Sequence, residues 1–279
     1  MAKIFKASKA TSLVGKTLDL TINRLDSSGR GVATYNKKSI FLDGALVGEK
    51  VSAKVVEQSS KYLKAKILAI KSESKYRVAP FCRHYSTCGG CDLQHMSYDK
   101  QLSFKQEKVS ELFARQNING LPWHEPITAT QKHYRRKARI GVQYNKLGEA
   151  IIGFRHRGTN VLTPIKSCEI LTQVLENVFL SIKQVFSELN AVSPSGAVGH
   201  IEVIESEVDG ASQIHLIVRQ LINLSSDAKL IWLKAANTYH WHLWFDDGKN
   251  THTLSRETSE SNLPPESQPE LSYTLLDNS

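Results

Sequence analysis

Four cysteines are the residues of this 279-residue chain whose spacing points most directly to chemistry. Cys82, Cys88 and Cys91 form a Cys-x5-Cys-x2-Cys group, and Cys168 follows 77 residues later. Thiolates are soft ligands that suit iron–sulfur clusters and zinc. One group of three with a remote fourth is nearer to ferredoxin-type spacings. Structural zinc sites usually show two close pairs. Four unrelated buried thiols are the third reading, and spacing alone leaves all three open. Gly89 and Gly90 let the backbone turn tightly and bring N–H groups toward a negatively charged cluster. Pro80 stiffens the entry. His84 and His95 read as solvated loop residues and are left outside the ligand set.

Basic side chains are the second group with a chemical reading. Residues 1–80 carry 16 Lys or Arg against 6 Asp or Glu, and residues 81–170 carry 14 against 7. Residues 171–279 carry 6 against 14, so a basic front precedes an acidic back. Such asymmetry suits a polyanion at the front. Arg135, Arg136, Lys137 and Arg139 lie on one predicted strand, and alternation puts Arg135, Lys137 and Arg139 on one face. Arg155 and Arg157 follow on the next strand. A stripe of this kind suits phosphate contacts, or is only a solvated sheet face. Arg30, Tyr35, Lys37, Lys38 and Phe41 offer charge and stacking to single-stranded RNA, with Phe41 equally placed as a core residue.

Elements must position these groups. Residues 1–11 are polar and basic and are expected to form a flexible tail. From Gly15 to Ile70 short alternating strands surround the turn Ser28-Gly29-Arg30-Gly31, which predicts a small closed barrel. Residues 73–96 read as a loop holding three of the cysteines. A helix is expected over Tyr98–Asn117, capped by Ser97, with Leu102, Val109, Leu112 and Phe113 on one face and Gly120 and Pro122 ending it. Strands return over His133–Ile165, with a turn at Asn145–Gly148. A helix over Thr172–Leu189 should bury Val174, Val178, Ile182, Val185 and Leu189. Strands near His200–Glu205 and Gln213–Arg219, a helix from Ser226 and a strand at His240–Phe245 follow. Residues 246–270 read as a polar loop, and Glu270–Leu275 as one more strand. A hydrophobic fraction of 41% is ordinary for a soluble domain. No run of 18 apolar residues and no leader-like start make the cytoplasm the expected compartment. The reducing environment there argues against disulfides.

Barrel and cysteines together resemble a family, the bacterial 23S rRNA (uracil-5-)-methyltransferases of the RumA/RlmD type. Gly15–Ile70 resembles a TRAM domain, an OB-like RNA-binding barrel. Pro80-Phe81-Cys82, then Cys88-Gly89-Gly90-Cys91-Asp92-Leu93-Gln94-His95, resembles the cluster loop. Tyr134-Arg135-Arg136-Lys137-Ala138-Arg139 and Gly153-Phe154-Arg155 resemble the central domain, and Ser167-Cys168-Glu169-Ile170-Leu171 the segment bearing the fourth ligand. Radical-SAM methylthiotransferases also pair a cluster with TRAM, but use a tighter cysteine triad and the opposite domain order. The resemblance implies an α+β multidomain protein. Its TRAM-like barrel covers 12–72, its cluster loop 73–96, and an α/β central domain 97–279. It also implies a [4Fe–4S] cluster on Cys82, Cys88, Cys91 and Cys168, a monomer, and 23S rRNA as partner.

In that family a cysteine adds to C6 of the target uracil, C5 takes the methyl group of S-adenosylmethionine, and a carboxylate removes the C5 proton. The base must first leave the RNA stack. The chain departs from the family here. No glycine-rich cofactor loop follows a strand, and all four cysteines are assigned to the cluster, leaving none as nucleophile. No catalytic and no S-adenosylmethionine-binding residue is therefore assigned, and the 279 residues alone are expected to be inactive. They would end where the catalytic domain begins, as a fragment or truncated frame. The rival readings are a non-catalytic RNA-binding module with a structural iron–sulfur or zinc site, and a redox protein.

Overall fold

The computed structural model describes residues 12–249 and the backbone of Thr251–Leu254. These residues fall into two compact units, one drawn from Met1–Pro80 and Cys91–Pro126, the other from Phe81–Gly90 and Ile127–Ser279. The expected N-terminal tail and the strand at Glu270–Leu275 lie outside the described residues.

The first unit is a sheet with one helix. Its strands are β1 (Thr17–Thr21), β2 (Arg24–Leu25), β3 (Gly31–Tyr35), β4 (Lys38–Leu42), β5 (Lys50–Gln58) and β6 (Tyr62–Ser72), and its helix is α1 (Tyr98–Ala114). The order is β1-β5-β6-β4-β3-β2, with β4 and β6 parallel and the other pairs antiparallel. Period-2 alternation drives it: Leu18 sits opposite Ala53 and Leu20 opposite Val51, all turned inward. Ile40, Leu42, Val55 and Leu63 complete that core. No ladder joins β1 to β2 among the described residues, so the pairings give six strands with two ends where the spacing predicts a closed barrel. The β3–β4 turn holds Asn36 and Lys37 at φ +47° and +66°, the double left-handed pair of a tight hairpin.

Helix α1 exposes most of the face that Leu102, Val109, Leu112 and Phe113 share. Its one buried residue is Phe104, which joins Leu25, Leu46 and Met96, while Val109, Leu112 and Phe113 are exposed. Ser97 precedes it without a side-chain cap. The chain turns away at Asn117, φ +61°, ahead of Gly120. Glu49, fully buried, ties the loop before β5 to the end of the sheet. It accepts from Arg77 Nε at 2.5 Å and Nη2 at 2.8 Å, and from the Leu46 amide at 2.8 Å.

The second unit carries β7 (Lys137–Tyr144), β8 (Ala150–Arg155), β9 (Leu162–Pro164), α2 (Gln173–Glu176), α3 (Val178–Leu189), β10 (Val198–Val208), β11 (Ala211–Gln220), α4 (Ser226–Tyr239), β12 (Trp241–Asp246) and β13 (Thr251–Leu254). Their order is β13-β12-β11-β10-β7-β8-β9. Only β11 and β12, joined through α4, run parallel. The unit is therefore α+β rather than the expected α/β, because every other strand pair is antiparallel, including β7 with β10, which is reached through α2 and α3. Asp209 and Gly210, at φ +50° and +76°, form the tight β10–β11 turn. The expected 18-residue helix is two, split at Asn177. Val174 is exposed, while Val178, Ile182, Val185 and Leu189 are buried. The polar stretch after β12 contains β13.

Register assigns the two faces of this sheet. Ala138, Val203, Leu216 and Leu243 form one row across four strands, and Ile140, Ile201, Val218 and Phe245 the next. All eight are buried. Phe186 of α3 meets Trp232 of α4 edge-on at 5.8 Å, and Phe179 meets Phe154 at 5.7 Å. The opposite face carries the rows Lys137, Ile204, His215, His242 and Arg139, Glu202, Ile217, Trp244. Among the described residues no helix is long and apolar enough to cross a membrane.

Candidate functional site

Three of the four cysteines belong to the second unit. Cys88 and Cys168 are buried and Cys82 is half-buried. Cys91, three residues beyond Cys88 along the chain, is counted with the first unit. None of the four is in a disulfide. The loop bearing Cys82 and Cys88 turns back on itself, with the Cys88 amide donating to the His84 carbonyl at 2.7 Å. It then docks as a short antiparallel bridge, Cys88 opposite His156. The Gly89 amide donates to the Arg155 carbonyl and the Arg157 amide to the Thr87 carbonyl, both at 2.9 Å. A Cβ on Gly89 would stand 3.1 Å from that Arg155 oxygen. Its glycine thus serves close strand approach, not the tight turn expected of it. The Gly90 amide reaches the Cys88 sulfur at 3.4 Å.

Cys168 is held by a parallel neighbour. Arg135 bridges Leu171, its amide donating to the Ile170 carbonyl at 2.8 Å. The Leu171 amide donates to the Cys168 carbonyl at 3.0 Å. Burial pushes the Cys168 thiol up, and the nearby Cys82 and Cys88 add to this against the Ile170 and Leu171 amides, which act to lower its pKa. Burial likewise pushes Cys88 up, with Cys82 adding to it, while the Gly90 amide, Arg157 and Arg135 oppose. Cys82, Cys88 and Cys168 therefore lie within electrostatic reach of one another, with two guanidinium groups near. Among the described residues no three Cys, His, Asp or Glu side chains already form a metal-binding group. Thiols are the donors that a soft metal centre would take. An amide N–H on the Cys88 sulfur and the nearby Arg135 and Arg157 are features that would favour thiolate-bound iron. His95 is buried, not solvated as expected.

The arginine stripe is partly rearranged. Arg135 lies before β7, beside the cysteines. Lys137 and Arg139 share the expected face, but both are held by Glu202, at 2.8 and 2.9 Å. Glu202 comes from β10, and nothing in the local sequence pairs it with β7. Arg136 points the other way, 3.6 Å from Glu207. Arg155 is exposed at the end of β8, and Arg157 sits 5.7 Å from the Tyr85 ring centroid.

On the first unit, Arg30 is paired with Asp26 at 2.7 Å and lies 4.8 Å over the Phe41 ring. Phe41 is half-buried outside the core, edge-on to Tyr62 at 5.9 Å. Lys64 stands 5.8 Å over Tyr62 and pairs with Glu57 at 2.8 Å. Tyr62 and Lys64 are additions that alternation along β6 would reveal. Tyr35 packs against the core instead. Lys38 donates to the Ser59 carbonyl at 3.2 Å, and Lys37 occupies the turn tip.

The TRAM domain profile matches residues 11–68. A Colwellia psychrerythraea protein named 23S rRNA (uracil(1939)-C(5))-methyltransferase RlmD is 39% identical, over 100% of this chain and 62% of its own length. This chain is a homologue of the RlmD-type methyltransferases. Proteins of the same name from Pseudoalteromonas translucida and Vibrio parahaemolyticus are 34% and 33% identical, over 87% and 94% of the chain. The chain spans 54% and 56% of their lengths, so it matches little more than half of such proteins. Its fold resembles the crystal structure of Pyrococcus abyssi tRNA (uracil-54, C5)-methyltransferase in complex with S-adenosyl-L-homocysteine. That likeness has a TM-score of 0.56 at 20% identity, over 83% of this chain and 52% of that one.

Proposed function

We propose that the chain is the RNA-binding, [4Fe–4S]-bearing portion of a cytoplasmic S-adenosylmethionine-dependent enzyme that forms 5-methyluridine in 23S rRNA. The observation that carries this reading is homology along the whole chain to proteins of that name. Cys82, Cys88, Cys91 and Cys168 hold the cluster, which when bound supplies iron–thiolate bonds between distant segments of the chain. Arg135 and Arg157 offset its negative charge. Arg30, Lys37 and Lys38 of the TRAM domain, with Arg135, Arg136, Lys137, Arg139, Arg155 and Arg157, meet RNA phosphates. The four thiols serve as ligands, which leaves none to attack C6 of uracil. These 279 residues therefore bind rRNA without methylating it.

Anaerobic purification tests the metal. Absorbance at about 400 nm with matching iron and sulfide is expected, whereas a colourless protein with stoichiometric zinc would replace the cluster by a zinc site. Incubation with labelled S-adenosylmethionine and 23S rRNA should transfer no label, and turnover would overthrow the assignment of all four cysteines. Failure to bind any 23S rRNA fragment would end the RNA-binding reading itself.

A further inference from the structure

The second unit contains a groove of about 780 Å³ bounded by Arg139, Arg155, His156, Arg157 and His200. Gly89 and Gly90 of the cysteine loop close one side, and Phe154 supplies apolar surface. Among the described residues no carboxylate lines it. Its size lies in the ~300–1,000 Å³ range of sites that enclose small ligands. Arg155 and Arg157, with two imidazole groups and no lining acid, specify an anion, while Arg139 is already held by Glu202.

The cations are fixed from behind. Gly89 and Thr87 bond the backbone on either side of His156, which holds Arg155 and Arg157 two residues apart on an extended segment. That interval is about 6.6–6.8 Å along a strand, the order of the spacing between successive phosphates on one nucleic-acid strand. Gly141 forms part of the groove wall, and a Cβ there would come within 2.7 Å of Leu162. A concave site of this volume admits one strand but not a duplex, whose two backbones stand too far apart.

We propose that this groove seats a stretch of unpaired RNA, with successive phosphates on Arg155 and Arg157 and sugar or base surface against Phe154. The proposal rests on the RNA-binding reading and sharpens it to one strand at one place. Arg139 belongs to the rim, shared with Glu202. Arg155 and Arg157 carry the phosphate contacts.

The test is fluorescence anisotropy with the full 279-residue chain and a labelled RNA of about 12 nucleotides, unpaired or annealed to its complement, over a salt series. The unpaired RNA should bind more tightly. Arg155→Ala with Arg157→Ala should weaken it about tenfold and reduce the salt slope by about 1.4, from ~0.7 per phosphate on single strands. Arg155→Lys with Arg157→Lys should keep the slope. If the double alanine variant fails to fold, Arg155→Glu at the exposed position carries the test and should weaken binding at least as much. Wild-type affinity and slope in these variants would overturn the groove while leaving RNA binding intact. Tighter binding of the duplex would overturn the unpaired strand. Absence of RNA binding by the wild type would remove the groove and the functional reading together.

Discussion

At the scale of single residues, two buried ionisable groups make the fold sensitive to acid. His215 is buried on the polar face of the second sheet, its Nε2 2.7 Å from the Ser206 hydroxyl. Burial, with His242 stacked at 4.8 Å, lowers its pKa to about 4. The unfolded chain takes up this proton below 6.5 while the folded chain does not. Stability should therefore fall as pH drops from 6.5 toward 4, by about 3 kcal/mol from this group. Urea denaturation of the wild type and His215→Gln across that range measures it, and parallel pH profiles would refute it. For Glu49, burial acts to raise the carboxyl, but Arg77 and the Leu46 and Ser74 amides outweigh it and hold the group below its ordinary 4.5. Its stabilisation is complete above 4.5 and lost as pH falls through the lower folded value. Arg77→Ala leaves that carboxylate buried and unpaired, and should cost about 3 kcal/mol at neutral pH. A chemical-denaturation midpoint unchanged at pH 7 would contradict this.

At the scale of elements, packing separates residues that share a helix. Ile182 is fully buried in α3 and Leu180 is 52% exposed two positions earlier. Ile182→Ala should cost about 2–5 kcal/mol and Leu180→Ala less than about 0.5 kcal/mol, compared by thermal unfolding. Equal losses would mean that α3 presents a different face. Gly153 is the sharper case, since a Cβ there would stand 1.9 Å from the Thr163 carbonyl oxygen. Gly153→Ala should push β9 off β8 at a cost of about 3 kcal/mol, seen as faster amide exchange at Thr163 and Ile165. Unaltered exchange would rule this out.

Much of this scale is legible in the sequence. Alternation located β1, β5 and β6, and the 3.6-residue period found α3 and four of its buried residues. What failed has a common cause. Periodicity tells which residues share a face, not whether anything packs on it, and the shared face of α1 leaves Val109, Leu112 and Phe113 exposed. Long-range pairing is likewise invisible in one sequence. Glu202 lies 63 residues from Arg139, and only strand register brings them together. The cysteines were legible as a set because their chemistry constrains type and spacing. The Gly90 amide on the Cys88 sulfur was not, since any residue supplies an N–H.

At the scale of the whole molecule, charge is the property that travels furthest. The surplus of Lys and Arg lies within residues 1–170, and the remaining residues are acidic. Affinity for a 23S rRNA fragment should therefore decline steeply between about 50 and 200 mM salt, measured by filter binding. A flat salt profile would mean that recognition does not run through phosphates. Removing residues 171–279 is no clean control, because β10 and β11 complete the sheet on which β7 lies.

The ten residues Phe81–Gly90 leave the first unit, pair with the second and hand the chain back before α1. Neither unit is thus one uninterrupted piece of polypeptide. A ribosome releasing this chain from its N-terminus delivers the six-stranded sheet early, but Leu25 and Leu46 wait for Met96 and Phe104 to emerge. The strand partner of Cys88 arrives later still, at His156. For that interval of synthesis the cysteine loop is threaded out of a half-finished unit with nothing to dock on. Its thiols are then open to oxidation, so the order of translation, as much as the finished structure, governs what those cysteines meet first.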